Sequence, residues 1–215
     1  MAAIFCGYYD AAGCEGTISD GSTVTAETTS PYGDAIYSNS RLTIQDSKVI
    51  AKSKDGYAMF ASGYDSDFEE DGPLMTISGN VDITCHGGID VGGGNMGVVH
   101  TIAIVPAEGA LLEVKTGDRS EETATKHFGA SPFDKETELD YSLRGDSYIR
   151  IKPHTHSGGT ATCTAQAICS DCGRAYGDMD PDTHSGEIVW TITEATHSGV
   201  YDCCGAEIAE ARHQY

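Results

Sequence analysis

Basic residues are scarce in this 215-residue chain. Lysine and arginine together number 13 against 33 aspartates and glutamates, which gives a formal net charge of −20 with histidine neutral. A nucleic-acid-binding protein needs a basic face for phosphate contacts, and docking on an anionic membrane needs one for lipid headgroups. The charge balance therefore argues against both classes of partner.

Long apolar runs are also missing. No stretch approaches the ~18 apolar residues of a membrane-spanning helix. The first six residues lack the basic segment and the long apolar segment of a signal peptide. We therefore expect no membrane insertion, and a chain that is either cytosolic or an excised or mature piece of a larger protein.

Helix signals are nearly absent from the first 115 residues, whereas glycine is abundant. There are 26 glycines, about 12 % of the chain against the usual ~7 %. The hydrophobic fraction is 39 % and the charged fraction 21 %, which is typical of a globular protein rather than a disordered one. The composition predicts a turn-rich, all-β protein.

An internal repeat runs through this region. TISDGSTVTA begins at position 17, TIQDSKVIA at 43, TISGNVDIT at 76 and a weaker copy, TIAI, at 101. The starts are 26, 33 and 25 residues apart, and the longest interval contains an insertion between Tyr64 and Gly72. Apolar and polar residues alternate within each copy, between turns rich in Gly, Asn, Asp and Ser, which indicates short strands.

Each copy is too short to bury its own core, so the copies must stack. The repeat length is typical of one coil of a right-handed parallel β-helix, which we predict for about residues 15–150. An antiparallel β-sandwich is the alternative. In the β-helix, Ile18, Ile44, Ile77 and Ile102 are predicted to form one buried row. Residues 118–150 are expected to cap the stack and to end in a closing strand over 148–151, so that the first domain spans residues 1–150.

Cysteine and histidine concentrate in the remaining residues, 151–215. Five of the eight cysteines lie after residue 160 and five of the eight histidines after residue 150, and the triplet His-Ser-Gly occurs three times. A Cys-x-x-Cys-Gly segment aims two thiolates at one point, and its glycine permits the tight turn. The simplest closed zinc site uses Cys169, Cys172, Cys204 and His213. Two alternates for the last two ligands are Cys163 and His184. The prediction is a small, zinc-ribbon-like module with one structural zinc.

Disulfides are the alternative for these cysteines. Five cysteines in about 50 residues suit a small secreted module, although two disulfides would leave one thiol unpaired and would not use the histidines. A mixture, zinc together with a Cys163–Cys203 bridge, also fits the spacing.

The insertion between the second and third repeats carries a candidate calcium site. Acidic residues alternate along it at Asp65, Asp67, Glu69 and Asp71, and calcium takes six to eight oxygen ligands. An EF-hand would need glutamate where Ser78 stands, so only a looser calcium site is predicted.

Catalytic chemistry has weaker support. A β-helical polysaccharide lyase neutralises a uronate with calcium or basic side chains, and between residues 17 and 115 the basic residues are only Arg41, Lys48, Lys52, Lys54 and Lys115. Cys85 and His86 are adjacent, so on a strand they face opposite sides, and Cys85 is predicted to be a small buried residue. Tyr32, Tyr37, Tyr57 and Tyr64 are candidates for a sugar-stacking platform, although packing is the favoured role of Tyr37.

Two parts of the chain resemble known surface proteins. The runs GDAIYS at 33–38 and LTIQDS at 42–47 resemble the coils of β-helical, so-called carbohydrate-binding domains in large surface proteins of gut Firmicutes. Residues 154–215, from the HSGGTATC run to YDCCG and the last histidine, resemble a Cys/His module of the same clostridial proteins. The resemblance covers about residues 15–117 and 154–215.

The resemblance implies a non-catalytic, extracellular or cell-surface fragment that serves in adhesion or in glycan contact. Its partners would be glycans or other surface proteins. A carbohydrate-active enzyme of the polysaccharide lyase type and a purely structural spacer are the two alternatives.

Overall fold

A computed structural model describes residues 2–6, 15–63, 72–92, 99–118, 120, 124–139, 143, 145 and 148–212. The chain divides into two compact units, Met1–His154 and Thr155–Tyr215. Both are built from β-strands and turns. Among the described residues, no helix has the length and apolar character needed to cross a membrane.

The strands are numbered in chain order. They are β1 (Ile4–Cys6), β2 (Gly16–Ile18), β3 (Thr23–Thr28), β4 (Ile36–Ser38), β5 (Leu42–Gln45), β6 (Lys48–Ser53), β7 (Met59–Ser62), β8 (Gly72–Ser78), β9 (Asp82–His86), β10 (Ile89–Gly92), β11 (His100–Val105), β12 (Leu112–Gly117), β13 (Lys126–His127), β14 (Thr137–Leu139), β15 (Tyr148–Pro153), β16 (Ala167–Ile168), β17 (Ala175–Tyr176), β18 (Ile188–Ile192), β19 (Thr196–Tyr201) and β20 (Glu207–Arg212).

The first unit contains three sheets. The first three repeats each place one strand in every sheet, and the fourth places β11 and β12 in two of them. Their orders are β1-β4-β7-β10, β14-β11-β8-β5-β2 and β13-β12-β15-β9-β6-β3. Strands from successive repeats pair in parallel, including β5 with β8 and β6 with β9. The parallel sheets are stacked as in a β-solenoid. This pairing contradicts the alternative of an antiparallel β-sandwich.

The register of the second sheet corrects one predicted row. Ile18 pairs with Ile44, and Ile44 with Ile77, as the repeat predicts. The next residue in this row is Ile104, whereas Ile102 pairs with Met75 in the neighbouring row. The prediction for Ile102 was wrong because side chains two residues apart on a strand face the same side, so alternation alone does not distinguish residue 102 from residue 104.

These rows make one buried core. Its large, fully buried side chains are Ile36, Ile44, Met59, Met75, Ile77, Ile83, Ile89, Ile102, Ile104, Leu112, Leu143 and Ile149. Burying one such side chain contributes about 1.5–3 kcal/mol. Because neighbours in a row come from successive repeats, this stabilisation exists only when the repeats stack.

The predicted closing strand is present but lies elsewhere in the sheet. β15 is inserted antiparallel between β9 and β12, so it separates the strands of the third and fourth repeats. β13 and β14 pair antiparallel with β12 and β11 at the edges of two sheets. Such pairing occupies backbone groups that an edge strand would otherwise expose.

Asp82 connects the inserted strand to the stack. The Arg150 guanidinium on β15 donates to its carboxylate, and Lys48 Nζ on β6 lies 3.4 Å from the same group. Arg150 also donates to the carbonyl of Ile83 at 3.0 Å. Partial burial opposes ionisation of Asp82, but Arg150 and Lys48 outweigh it and hold the pKa of that carboxyl below its usual value.

We expect Asp82→Asn to destabilise the first unit at neutral pH. The loss should be about 1 kcal/mol or less, because Asp82 is 41 % exposed and solvent screens the pair. Since the folded-state pKa is the lower one, the contribution is complete above the unfolded pKa of about 4 and disappears as the pH falls through the folded value. Urea unfolding of the whole chain, followed by circular dichroism at pH 7 and pH 3, measures it.

Asp20→Asn is the matched control, because Asp20 is exposed on the same unit. Equal urea midpoints of unfolding for the two variants at pH 7 would contradict the stabilising role assigned to Asp82.

Candidate functional site

Two sets of four cysteine and histidine donors form among the described residues. The knuckle set is His154, His156, Cys169 and Cys172, and the three-thiol set is Cys163, His184, Cys203 and Cys204. Within each set, the donor atoms all lie within 4.8 Å of one another. Each set could therefore bind a metal ion such as zinc, which takes four sulfur or nitrogen ligands.

A short hairpin positions the cysteines of the knuckle set. β16 and β17 pair antiparallel, and Cys169 N–H donates to the Arg174 carbonyl at 2.8 Å across the turn. Gly173 N–H donates to the Cys169 carbonyl at 2.9 Å, and the φ of Gly173 is +71°, a conformation that favours glycine. His156 Nδ1 lies 3.3 Å from Cys172 Sγ.

The three-thiol set is built around a turn with the same hydrogen bonds. Tyr201 N–H donates to the Ala206 carbonyl at 2.9 Å, Gly205 N–H donates to the Tyr201 carbonyl at 2.7 Å, and the φ of Gly205 is +73°. This turn connects β19 to β20. Cys204 Sγ lies 3.4 Å from His184 Nδ1, so Cys204 occupies the place that Cys172 has in the first turn.

Two of the three donor histidines, His156 and His184, belong to a His-Ser-Gly triplet and stack on a tyrosine. His156 stacks on Tyr176 with ring centroids 5.2 Å apart, and His184 on Tyr201 at 3.6 Å. The glycines allow close packing against the turns. A Cβ on Gly158 would lie 2.6 Å from Ser170 Oγ, and one on Gly186 would lie 2.7 Å from Cys203 N. In these two copies, the triplet is therefore a histidine donor followed by a glycine that packs against the turn.

The donor separations approach the edges of a zinc tetrahedron. Zinc bonds of about 2.3 Å to sulfur and about 2.0 Å to nitrogen place sulfur and nitrogen ~3.5 Å apart, and two sulfurs ~3.8 Å apart. The two sulfur–nitrogen distances above are 3.3 and 3.4 Å, and Cys163 Sγ lies 3.3 Å from Cys203 Sγ. The sulfur pair is closer to that edge than to the ~2.05 Å of a disulfide.

Cys163 and Cys203 titrate as a pair. Partial desolvation and the contact with Cys203 raise the pKa of Cys163 to about 11. Desolvation opposes ionisation of Cys203 too, but hydrogen bonds from Cys163 and from the Gly186 N–H lower its pKa to about 7. The pair therefore loses its first proton more readily than an isolated thiol does, and the thiolate is the form that binds metals.

The structure divides the single predicted zinc site between the two sets. Cys169 and Cys172 lie together in the knuckle set, whereas Cys204 lies with both alternates, Cys163 and His184. His213 is outside the described residues. The prediction treated Cys204-Gly205 as the other half of the site that Cys169 and Cys172 begin. In the structure, each Cys-Gly turn has its own histidine, so the two turns belong to different sets.

Three donors were missed in the sequence, namely His154, His156 and Cys203. The signal that identifies His156 was present, because its His-Ser-Gly triplet precedes Cys172-Gly173 as that of His184 precedes Cys204-Gly205. No disulfide joins the seven cysteines that the structure describes. The candidate calcium ligands Asp65, Asp67, Glu69 and Asp71 lie outside the described residues.

A polar cleft lies on the first unit. Its volume is about 440 Å³, and it is lined by Tyr32, Asp34, Asp55, Gly56, Tyr57 and Gly88. Tyr32 is 88 % exposed and has a φ of +58°, which is unusual for a bulky residue. Asp34 Oδ1 accepts the N–H of Tyr57 at 2.9 Å, and burial raises the pKa of Asp34. The cleft thus combines an exposed aromatic ring with carboxylate acceptors.

Tyr37 has the packing role that was predicted. Its ring stacks on Phe5 with centroids 5.2 Å apart and contacts Phe60 at 5.6 Å. The prediction for Cys85 is also confirmed, since that side chain is fully buried. Burial raises the pKa of the Cys85 thiol, so the group does not supply a nucleophilic thiolate near neutral pH.

The five basic residues considered for uronate binding are all close to carboxylates. The pairs are Arg41 with Glu15, Lys48 with Asp82, Lys52 with Glu27, Lys54 with Asp55, and Lys115 with Glu113, at nitrogen–oxygen distances of 3.4 to 4.0 Å. Their charge is thus compensated within the protein.

Comparison with known proteins returned no similar protein. No family model, no curated protein and no solved structure matches the chain.

We expect metal removal to unfold the second unit and to leave the first folded. Structural zinc contributes folding free energy on the order of 10 kcal/mol in small domains. The chain has one tryptophan, Trp190, on β18 of the second unit, so its fluorescence reports on that unit alone. Titrating the reduced, zinc-loaded chain with a chelator should lower the anisotropy and change the intensity of Trp190 emission, because the half-exposed ring loses its edge contact with His197. The circular dichroism of the first unit should persist to a separate thermal transition. Unchanged emission after complete metal removal would contradict a structural role.

Proposed function

We propose that this chain is a non-catalytic module of an extracellular or cell-surface protein, which contacts glycans through the first unit and is stabilised by zinc in the second. The observation that carries the proposal is the cleft at Tyr32. An aromatic ring stacks on the apolar face of a pyranose, and carboxylate oxygens accept hydrogen bonds from its hydroxyl groups. Sites for small molecules are concave and combine such surfaces with a few polar groups.

The charge of the chain favours a neutral glycan. Asp34 and Asp55 line the cleft, and the net charge of −20 repels uronates at longer range. The basic side chains that a polysaccharide lyase would use to neutralise a uronate are close to carboxylates of the protein. These features support binding over lyase chemistry.

The two donor sets support a structural role for zinc. Four protein donors complete a tetrahedral zinc site and leave no position for substrate, whereas catalytic zinc keeps one open. Cysteines of extracellular proteins are usually oxidised to disulfides. Zinc coordination would hold these thiolates and is consistent with the proposed location.

We also infer the finer fold. Each sheet of the first unit takes strands from successive repeats in chain order, and parallel crossover connections are almost always right-handed, which supports a right-handed parallel β-helix. Two Cys-Gly turns on antiparallel hairpins support a zinc-ribbon-like second unit. A crystal structure with antiparallel pairing between residues 42–51 and 75–84 would contradict the β-helix.

The resemblance to clostridial surface proteins supports the proposed location. It lies in the GDAIYS and LTIQDS runs of the first unit and in the Cys/His spacing of the second. Besides glycan contact, a cell-surface location also allows adhesion by binding to another surface protein.

A glycan array combined with a uronate-cleavage assay tests the proposal on the whole chain. We expect binding to neutral oligosaccharides, no new unsaturated ends from polygalacturonate, and a loss of affinity of at least tenfold in Tyr32→Ala because the stacking surface is gone. Asp55→Asn should weaken binding several-fold. Asp20→Asn, on an exposed position away from the cleft lining, should bind like the parent.

Each alternative predicts a different result. New unsaturated ends would support the lyase alternative and contradict the proposal. No binding on the array together with no product in the cleavage assay would contradict the proposal and support a purely structural spacer.

A further inference from the structure

We propose that the three-thiol set is a second metal site, independent of the knuckle set, and that it takes thiophilic divalent cations in preference to it. The inference rests on the metal role proposed for the second unit, and it is separable from glycan contact. Zinc is the expected occupant, and cadmium is the probe that distinguishes the two sets.

The first argument is the donor chemistry. The three-thiol set offers three sulfurs and one imidazole, whereas the knuckle set offers two sulfurs and two imidazoles. Thiolates are soft ligands, so exchanging an imidazole for a thiolate shifts selectivity towards soft cations. Of the two sets, the three-thiol set should therefore bind cadmium first.

The second argument is that backbone donors already face the sulfurs. The N–H groups of Ser185 and Gly186 lie within hydrogen-bond reach of Cys203 Sγ, and Ser185 N–H also reaches Cys163 Sγ. Both donors belong to the His-Ser-Gly triplet that supplies His184. Such contacts orient and stabilise thiolate ligands around a metal.

The third argument is the recurrence of one turn at both sets. Gly173 and Gly205 close turns with the same two backbone hydrogen bonds, and each turn places its last cysteine beside a histidine. In the second turn, Tyr201 stands where Cys169 stands in the first. Tyr201 offers no sulfur, so the other two sulfurs of this set come from Cys163 and Cys203, whose Sγ atoms lie 3.3 Å apart. The second turn thus completes its own set of four donors without a ligand from the first.

Accessibility distinguishes the sets as well. Cys204 is exposed, and Cys163 and Cys203 are half-buried, whereas in the knuckle set Cys172 is half-buried and Cys169 is 1 % exposed. A cation from solvent therefore reaches the sulfurs of the three-thiol set more readily.

The test uses the whole reduced chain loaded with zinc. Elemental analysis and native mass spectrometry should find two zinc ions per chain, and one in the double variant Cys163→Ser/Cys203→Ser. Cysteine 6 lies outside both sets, so Cys6→Ser is the matched control and should keep two. One equivalent of ¹¹³Cd should give a single cadmium resonance, at the chemical shift of a three-sulfur site. That resonance should be lost in the double variant and kept in Cys6→Ser.

Several results would overturn the inference. One zinc per chain, lost in Cys169→Ser but kept in the double variant, would leave the structural zinc of the proposed function and remove the second site. A non-reduced mass lower by two hydrogens, mapped to Cys163 and Cys203, would replace the second site with a disulfide. A first cadmium resonance of two-sulfur type would contradict the selectivity. If the double variant does not fold, the zinc count and cadmium shift of the parent chain decide alone.

Discussion

In the described part of the second unit, the buried residues are only Ala167, Cys169 and Gly199. Large apolar side chains such as Trp190 and Ile192 are exposed there. Burial of apolar surface, the dominant stabilising term in most domains, is therefore small in this unit. Its backbone still forms hairpins and glycine turns that bring seven of the eight donor atoms into two groups, and His154, the last residue of the first unit, supplies the eighth. Coordination of a metal by these groups would replace the missing core, and the buried Cys169 belongs to one of the two donor sets.

The first unit has the opposite balance. Its repeats each bring a few isoleucine, methionine or valine side chains, and parallel pairing in register places them in continuous buried rows. The polar face of the same strands is used for pairs between neighbouring rows, as with Lys48 and Asp82. The stack is thus held by local, repeated contacts between strands of successive repeats. On the proposed role of the metal, the two units differ in what stabilises them, and this difference would make the effect of metal removal selective.

The sequence allowed the prediction of all-β structure and of the repeat, because period-2 alternation and glycine-rich turns are local signals. The row Ile18, Ile44, Ile77 followed from aligned repeats, but the choice between Ile102 and Ile104 did not, since both face inward. The insertion of β15 between β9 and β12 was also missed. Which edge a late strand joins depends on contacts that are distant in the sequence.

For the metal ligands, the residue types were predictable and the grouping was not. Cys169, Cys172, Cys204, Cys163 and His184 were all considered from their spacing, yet hairpin pairing decides which of them meet. The pairing separates Cys204 from Cys169 because each Cys-Gly turn packs on its own His-Ser-Gly triplet. Reading the triplets together with the Cys-Gly pairs would have given two sites.

The central claim, that two closed sites of different sulfur content hold the second unit, is tested most directly by X-ray absorption at the zinc edge. The zinc-loaded chain should show four-coordinate zinc with, on average, two and a half sulfur and one and a half nitrogen ligands, which is the mean of the two donor sets. A coordination shell dominated by oxygen, or five or more ligands per zinc, would contradict it, because that environment belongs to an ion held loosely at the surface.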